Sequence, residues 1–378
     1  MKTENRQHIT KENIQKLIQR EKLEELASGE IFDLVRGEEQ LKRFIPDEMY
    51  QIDPRDGAVI LYNSARAKRP HDNPQEVHAE DEGKSCPVCK GKTTGIIDST
   101  ELSEGYTFIN KNLFPVLYPS DRYEAGRFEE IPEQYHASGS LPWGVHLLQW
   151  TSSFHDRDWY NMPLEDRRIV LKRLAVLEEK LLSPAEGAPK ERCVSIMKNY
   201  GSPVGGSLVH GHQQIGMSNV MPRRLKLDEE YLQHRGELFA DTLLRENPPE
   251  LTVNDYGAGV LLVPWFMKRP YSMMFFLRDT KKQHLFQLND KEIDVLADGL
   301  RDATAAIMGL MPRIGRLTAY NVTVHNGPGA GLYLEFLPYT QETGGFEHLG
   351  LWVCQGNPQA AAEEIRTAVT QIYYNFSE

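Results

Sequence analysis

Gly205-Gly206-Ser207-Leu208-Val209-His210-Gly211-His212-Gln213-Gln214 is the stretch on which the reading of this chain turns. Two glycines and a serine open it, and two histidines one residue apart follow. In an extended strand alternate residues share a face, so His210, His212 and Gln214 are predicted to line one side. Imidazole attacks phosphorus when one ring nitrogen is neutral and exposed while the other donates to a fixed acceptor, commonly a backbone carbonyl. Gln214 offers an amide donor to phosphoryl oxygens, and Gly205 and Gly206 let backbone N–H groups approach a phosphate closely. A bare pair of alternating histidines also fits ordinary core or surface residues. The flanking glycines, Ser207 and Gln214 favour chemistry, with His212 as nucleophile and His210 directed at a metal.

Working outward, Cys86-Pro87-Val88-Cys89-Lys90-Gly91 has the form of a metal knuckle, a turn that points two thiolates at one tetrahedral ion. No second such pair exists, so further ligands must come from elsewhere, histidine being the usual choice. A redox pair is the rival reading, but no βαβ pattern starts at Cys89. His155, in Ser153-Phe154-His155-Asp156, reads on its own as a loop histidine more readily than as a ligand, and His146 is a weaker candidate. Arg66 and Arg69 stand in Ala65-Arg66-Ala67-Lys68-Arg69-Pro70, a basic loop suited either to solvent or to bidentate phosphate contacts.

The 378 residues, 40% hydrophobic and 26% charged, are enough for two soluble domains. A net charge of -11 argues against nucleic-acid binding, which needs a basic surface to displace counterions. No apolar run is long enough to span a membrane, and MKTENRQHIT has no signal-peptide core. A cytoplasmic location is therefore predicted. Cysteines at 86, 89, 193 and 354 are too sparse for a disulfide framework.

Residues 11–44 carry Ile14, Leu17, Ile18, Leu23 and Leu26 at helical spacing, predicting one or two amphipathic helices. Strands are predicted at 58–62, 106–109, 145–150 and 194–197, with a helix over 163–182 whose Val170, Leu171, Leu174, Leu177 and Leu181 form one face. The second half repeats this order: strands at 260–264 and 272–277, a helix from an Asn289 cap to about 310 with Glu292 completing a capping box, strands at 321–324 and 332–337, and a terminal helix opened by Asn357-Pro358. Helix, strand, glycine-rich turn and strand recur, and only the first half carries the histidine pair. Three segments are predicted: an N-terminal helical extension (1–50), a catalytic unit with the knuckle (51–222), and a second unit without the histidines (223–378).

Taken in order, these stretches resemble the galactose-1-phosphate uridylyltransferase family of the histidine-triad superfamily. The resemblance runs from about Ile52 onward, through Asp53-Pro54-Arg55-Asp56-Gly57, Arg66 to Pro70, Cys86/Cys89, Phe108-Ile109-Asn110-Lys111-Asn112, His155, Lys198-Asn199-Tyr200-Gly201, the quoted histidine stretch, Arg269-Pro270-Tyr271 and Gly345-Phe346-Glu347. It implies an α+β fold of two tandem histidine-triad-like units, with antiparallel sheets flanked by helices. It implies His212 as the nucleotidyl carrier, with Gln214 and Ser207 at the transferred phosphate, and Cys86, Cys89, His155 and His210 as ligands of a zinc ion. Arg66 and Arg69 would contact phosphates or nucleotide, Asn110 and Asn112 the base or ribose, Asn199, Gly205 and Gly206 the phosphate, and Phe346 and Glu347 the sugar. The implied reaction moves a nucleoside monophosphate, UMP foremost, between a nucleotide sugar and a sugar 1-phosphate, as in galactose metabolism. The alternative is a phosphorylase that uses inorganic phosphate on a nucleotide sugar or dinucleoside polyphosphate. A homodimer is implied, with no nucleic-acid or membrane partner. The family carries Pro between the histidines and Gly after them, where this chain has Gly211 and Gln213. Tyr333-Leu334-Glu335-Phe336 stands where some members place a second metal, and Gln341-Glu342-Thr343 replaces an expected basic residue.

Overall fold

The spacing of Ile and Leu near the start of the chain does produce short helices. In α1 (Lys11–Leu17) Thr10 caps the N-terminus, its hydroxyl accepting from Asn13 N at 3.2 Å. In α2 (Ser28–Arg36) Ile31, Phe32 and Val35 are buried, and Phe32 meets Trp143 edge-on at 4.8 Å. This extension packs against the body, since Ile9 and Ile14 share one apolar cluster with Cys86, Val88, Phe108 and Trp150. The computed structural model describes residues 6–47, 50–53, 59–63, 65, 86–120 and 141–375. Arg66, Arg69 and the Pro54 to Gly57 turn lie outside the described residues.

A two-stranded hairpin, β1 (Tyr50–Ile52) with β2 (Val59–Leu61), precedes the main sheet. The first half then runs β3 (Ile96–Glu101), β4 (Tyr106–Lys111), β5 (Gly144–Trp150), α3 (Leu164–Leu182), β6 (Cys193–Tyr200) and β7 (His212–Ser218). Helices α4 (Arg223–Arg235) and α5 (Phe239–Glu246) lead into the second half. It runs β8 (Thr252–Asp255), β9 (Gly259–Leu262), β10 (Met273–Leu277), α6 (Asp290–Arg313), β11 (Tyr320–His325) and β12 (Tyr333–Pro338), followed by α7 (Gly345–His348) and α8 (Pro358–Asn375). The predicted repeat is thus present, and the fold is α+β with antiparallel pairing.

The two units do not keep separate sheets. All ten strands form one, in the order β3-β4-β5-β7-β6-β11-β12-β10-β9-β8. Each half supplies the same internal order, and the fourth strand of one pairs antiparallel with the fourth strand of the other, Asn199 opposite Asn321 and Tyr200 opposite Tyr320.

One face of this sheet is covered by helices. Val194 and Ile196 on β6, Ile215 on β7, Val322 on β11, and Leu334 and Phe336 on β12 share a core with α3 and α6. The predicted stripe of α3, Val170, Leu171, Leu174, Leu177 and Leu181, faces this core. Each such side chain contributes roughly 1.5–3 kcal/mol by leaving water. Asn289 caps α6 through a reciprocal pair with Glu292, at 3.0 and 2.9 Å. Arg167–Asp298 at 2.7 Å and Arg168–Asp294 at 2.6 Å join α3 to α6.

The alternation that turns Val194 and Ile196 to the helices turns their neighbours to the other face. Register places Gln214, Met197, Thr323 and Glu335 side by side there across four strands. This second face carries the histidines. Among the described residues no helix is long and apolar enough to cross a membrane.

Candidate active site

Strand β7 begins at His212, so His210 precedes the strand instead of sharing its face as predicted. The partner strand β5 ends at Trp150, opposite His212, and leaves residues 208–211 free to bend. The two rings consequently take different tasks. His210 is fully buried and turns to the cysteines, its Nδ1 3.5 Å from Cys89 Sγ and 3.8 Å from Cys86 Sγ. Its Nε2 donates to the Ser152 carbonyl at 2.8 Å, which leaves Nδ1 without a proton and available to a metal.

His155 Nδ1 lies 3.8 Å from Cys89 Sγ, and the four ligand atoms of Cys86, Cys89, His155 and His210 lie within 4.8 Å of one another. A tetrahedral ion with the usual bond lengths to sulfur and nitrogen sets such edges at about 3.5–3.8 Å. This Cys2His2 group has the donors and spacing to hold a metal ion. Without one, the two thiols cannot both ionise. Cys86 is drawn well below its ordinary pKa by the hydrogen bond from Cys89, and Cys89 is pushed far up by the same contact. A divalent cation removes that conflict. The N-terminal segment braces the loop carrying His155, with His155 N donating to Gln7 O at 2.9 Å and Arg6 paired with Asp156 at 2.6 Å.

His212 is held differently. Its Nδ1 donates to the His210 carbonyl at 2.8 Å, which fixes the tautomer with Nε2 unprotonated. The ring stacks at a tilt on Trp150, centroids 4.8 Å apart, and the residue is 4% exposed. Burial, then the nearby Lys198 charge, lowers its pKa to about 4. The ring is therefore neutral at pH 7, and protonation does not claim it until well below its ordinary range. The acid limb of the activity profile is expected near pH 4, not 6.5, in kcat/KM measured on free enzyme. A limb at 6–7 that tracks His212 counts against this arrangement.

Lys198 and Asp158 are residues beside His212 that sequence reading missed. Lys198 Nζ lies 2.6 Å from Asp158 Oδ2 and donates to the His212 carbonyl at 3.1 Å, and both side chains are about 4% exposed. The signal was available: Lys198 continues the inward alternation of Val194 and Ile196 on β6, and a lysine in such a position implies a buried partner.

Gly211 is required by the same neighbourhood. A Cβ there would stand 2.5 Å from Thr151 Oγ1 and 2.7 Å from Asp158 Cγ. Gly211→Ala is expected to destabilise the protein by about 1–3 kcal/mol in urea titrations. Gln213 points to the helix side, donating to Gln149 Oε1 at 2.6 Å.

Gln214 receives help from His146. The Val116 N–H donates to His146 Nδ1 at 3.2 Å, so Nε2 carries the proton and donates to Gln214 Oε1 at 3.0 Å. The Gln214 carbonyl is thereby engaged, and among the described residues its NH2 is the end of the amide left for a ligand. His146 belongs to this network and not to the metal group. Asn112 touches His146 at 3.2 Å. Asn110 is buried and hydrogen-bonded to Trp150 Nε1, Thr93 and Thr94.

The glycine-rich loop lies alongside. Gly205 sits at φ 84°, and a Cβ on Gly206 would meet Gly201 N at 2.8 Å and Asn199 O at 3.0 Å. Ser207 is buried, and Asn199 Oδ1 accepts from Asn321 Nδ2 at 2.7 Å. Phe346 and Glu347 are not joined to His212 by any contact within the described chain. Glu347 caps its own short helix, accepting from Gly344 N at 2.8 Å. In the second unit Tyr333 and Glu335 enclose His325, whose Nδ1 meets Asp228 at 2.7 Å and Nε2 meets Glu335 at 2.9 Å.

Compared with solved structures, the chain matches a uridylyltransferase with a TM-score of 0.66, 21% identity, and coverage of 85% of this chain and 99% of the other. The chain has the uridylyltransferase fold. An Arabidopsis thaliana ADP-glucose phosphorylase, solved with bound ADP-glucose, shares that fold at TM-score 0.60 and 18% identity, over 84% of this chain and 97% of that one. A GalT-like protein from the same plant matches at TM-score 0.53 and 18% identity, covering 69% and 83%. No protein-family model and no curated protein matches the sequence. The resemblance read from the motifs is thus met at the level of the fold. Within the uridylyltransferase fold the nucleophile candidate stands at the start of β7, beside the Cys2His2 group.

Proposed function

We propose that this chain is a nucleotidyltransferase acting on nucleotide sugars through a nucleotidyl-His212 intermediate. The observation that carries this reading is the His212 ring, fixed in one tautomer by the His210 carbonyl and kept neutral by burial. Nε2 attacks the α-phosphorus, an N–P bond forms, and the P–O bond to the leaving sugar 1-phosphate breaks with its electron pair on that oxygen. A second phosphate-bearing acceptor then attacks the phosphoramidate and frees His212. Gln214 NH2 and the backbone around Gly205 and Gly206 bear on the phosphoryl oxygens. Ser207 and Asn199 act beside them, and Arg66 and Arg69 are assigned to the nucleotide phosphates.

Cys86, Cys89, His155 and His210 are assigned to zinc. Four protein ligands leave no open coordination position, so the ion's role is structural. A bound ion would clamp the knuckle to the segment whose carbonyl orients His212.

UMP transfer between sugar 1-phosphates is the leading form of the reaction. Phosphorolysis with inorganic phosphate is the second, supported by a comparable likeness to an ADP-glucose phosphorylase and by Gln341-Glu342-Thr343 in place of a basic residue. A homodimer is part of the proposal, because Phe346, Leu349, Leu351 and Val353 expose 55–81% of their surface in one short segment. Phe346 and Glu347 would then serve a partner's sugar site.

Incubation with UDP- and ADP-sugars, followed by peptide mass spectrometry, tests the intermediate. A nucleoside-monophosphate mass increment on the His212 peptide is expected, discharged by hexose 1-phosphate or by phosphate. Turnover with no such increment in rapid-quench samples sinks the covalent route.

A further inference from the structure

The open face of the sheet holds another cavity, of about 460 Å³, over the central strands β6, β11 and β12. That volume suits a small molecule. Neither His212 nor Gln214 lines it. Two hydroxyls of its lining residues, Ser272 Oγ and Thr323 Oγ1, are buried without a hydrogen-bond partner among the described residues, and Ser272 is 6% exposed. Buried polar atoms in folded proteins are nearly always satisfied, so an orphan lining a cavity points to something that completes it. Tyr271, at φ 64°, makes the turn that delivers Ser272, a conformation a tyrosine rarely adopts.

The lining of the cavity is basic, in a chain whose net charge is -11. Arg224, Lys268 and Arg269 line it. Glu335, the lining carboxylate, is already engaged by Arg224 at 3.0 Å and His325 at 2.9 Å. Among the described residues no carboxylate pairs with Lys268. Burial and the neighbouring Arg224 hold its pKa below the ordinary lysine value, against a partial opposing pull from Glu335. Trp352 lies under Lys268 at 5.2 Å and Arg269 at 5.7 Å and stays 40% exposed.

We propose that this cavity is a second, non-reacting site for an organic phosphate monoester. The phosphate sits among Lys268, Arg269 and Arg224 and accepts from the Ser272 and Thr323 hydroxyls, while a ring lies against Trp352 and Leu225. The surplus cations match a dianion, and the indole face and apolar wall match a base or sugar ring. No transfer occurs here, because both nitrogens of His325, the imidazole on the wall, are held by Asp228 and Glu335. Asn321 also lines the cavity and holds Asn199 Oδ1 at 2.7 Å and Val204 O at 3.2 Å, so the occupant touches a residue that supports the glycine-rich loop.

Calorimetric titration of the full chain with AMP, UMP, glucose 1-phosphate and inorganic phosphate tests this, beside the variants Lys268→Glu and Ser272→Leu. At least one of the monoesters is expected to bind with two equivalents per chain. Each variant should lose one equivalent, or weaken it at least tenfold, and leave His212 labelling intact. Inorganic phosphate in excess should displace the second equivalent, and the monoester that binds best separates a nucleotide from a sugar source. A single equivalent for every monoester, two unchanged equivalents in both variants, or no displacement by phosphate overturns the proposal. Absence of His212 labelling in the unmodified protein, with two equivalents bound and one of them lost in the variants, would instead count against the transferase reading alone.

Discussion

His212→Asn is expected to lower nucleotidyl transfer by about 10⁴-fold or more, the loss typical of removing a covalent nucleophile and equivalent to roughly 5.5 kcal/mol of barrier. Asparagine keeps some polarity and bulk but offers no basic nitrogen to phosphorus. The substrate contacts from Gln214 and the glycine-rich loop survive, so KM should move by far less than kcat. The labelled peptide should vanish together with exchange between nucleotide sugar and sugar phosphate. Near-normal kcat in His212→Asn would mean that the acceptor attacks the nucleotide sugar directly. The variant should remain folded, because asparagine can still donate toward the His210 carbonyl that now receives Nδ1.

The elements around this residue differ in how plainly the sequence announced them. The long helices α3 and α6 were legible because their apolar residues recur at helical spacing and Asn289 with Glu292 forms a capping box. The Cys2His2 group was legible through the motif order, since His155 alone looks like any loop histidine. The start of β7 was not legible. Alternation between 208 and 215 is continuous in sequence, and only the end of β5 at Trp150 shows where pairing begins. Lys198 with Asp158, and His146 behind Gln214, are long-range contacts, and no local pattern encodes them. The joining of two predicted sheets was equally hidden, because strand order is a property of the whole chain.

Cys89→Ser should produce the largest loss of stability. One metal ion per chain, measured by elemental analysis, is expected for the unmodified protein and less than a tenth of that for the variant. Ligand loss leaves three donors crowded in a buried site, with a Cys86 thiolate no longer neutralised by an ion. Melting should fall by about 4–6 °C, a few kcal/mol at the scale of a chain this large. Activity should fall as well, because a bound metal would hold His210, whose carbonyl fixes the tautomer of His212. Cys354→Ser provides the control, since that thiol lies outside the metal group and the variant should keep both metal and melting point. Equal metal content in Cys89→Ser and the unmodified protein would remove zinc from the account.

The pairing of β6 with β11 has a further consequence. An order that reads the same from either end, closed by two corresponding strands lying antiparallel, is the arrangement that a two-fold symmetric dimer of half-chains would adopt. The sheet has the layout of a covalently fused dimer, with His212 opening β7 in one half and Tyr333 opening β12 at the corresponding place in the other. Either half expressed alone would present a bare central edge and be driven to pair with itself. Relative motion of the halves is likewise barred by continuous backbone hydrogen bonds, so loops and side chains, not a hinge, must admit and release whatever binds.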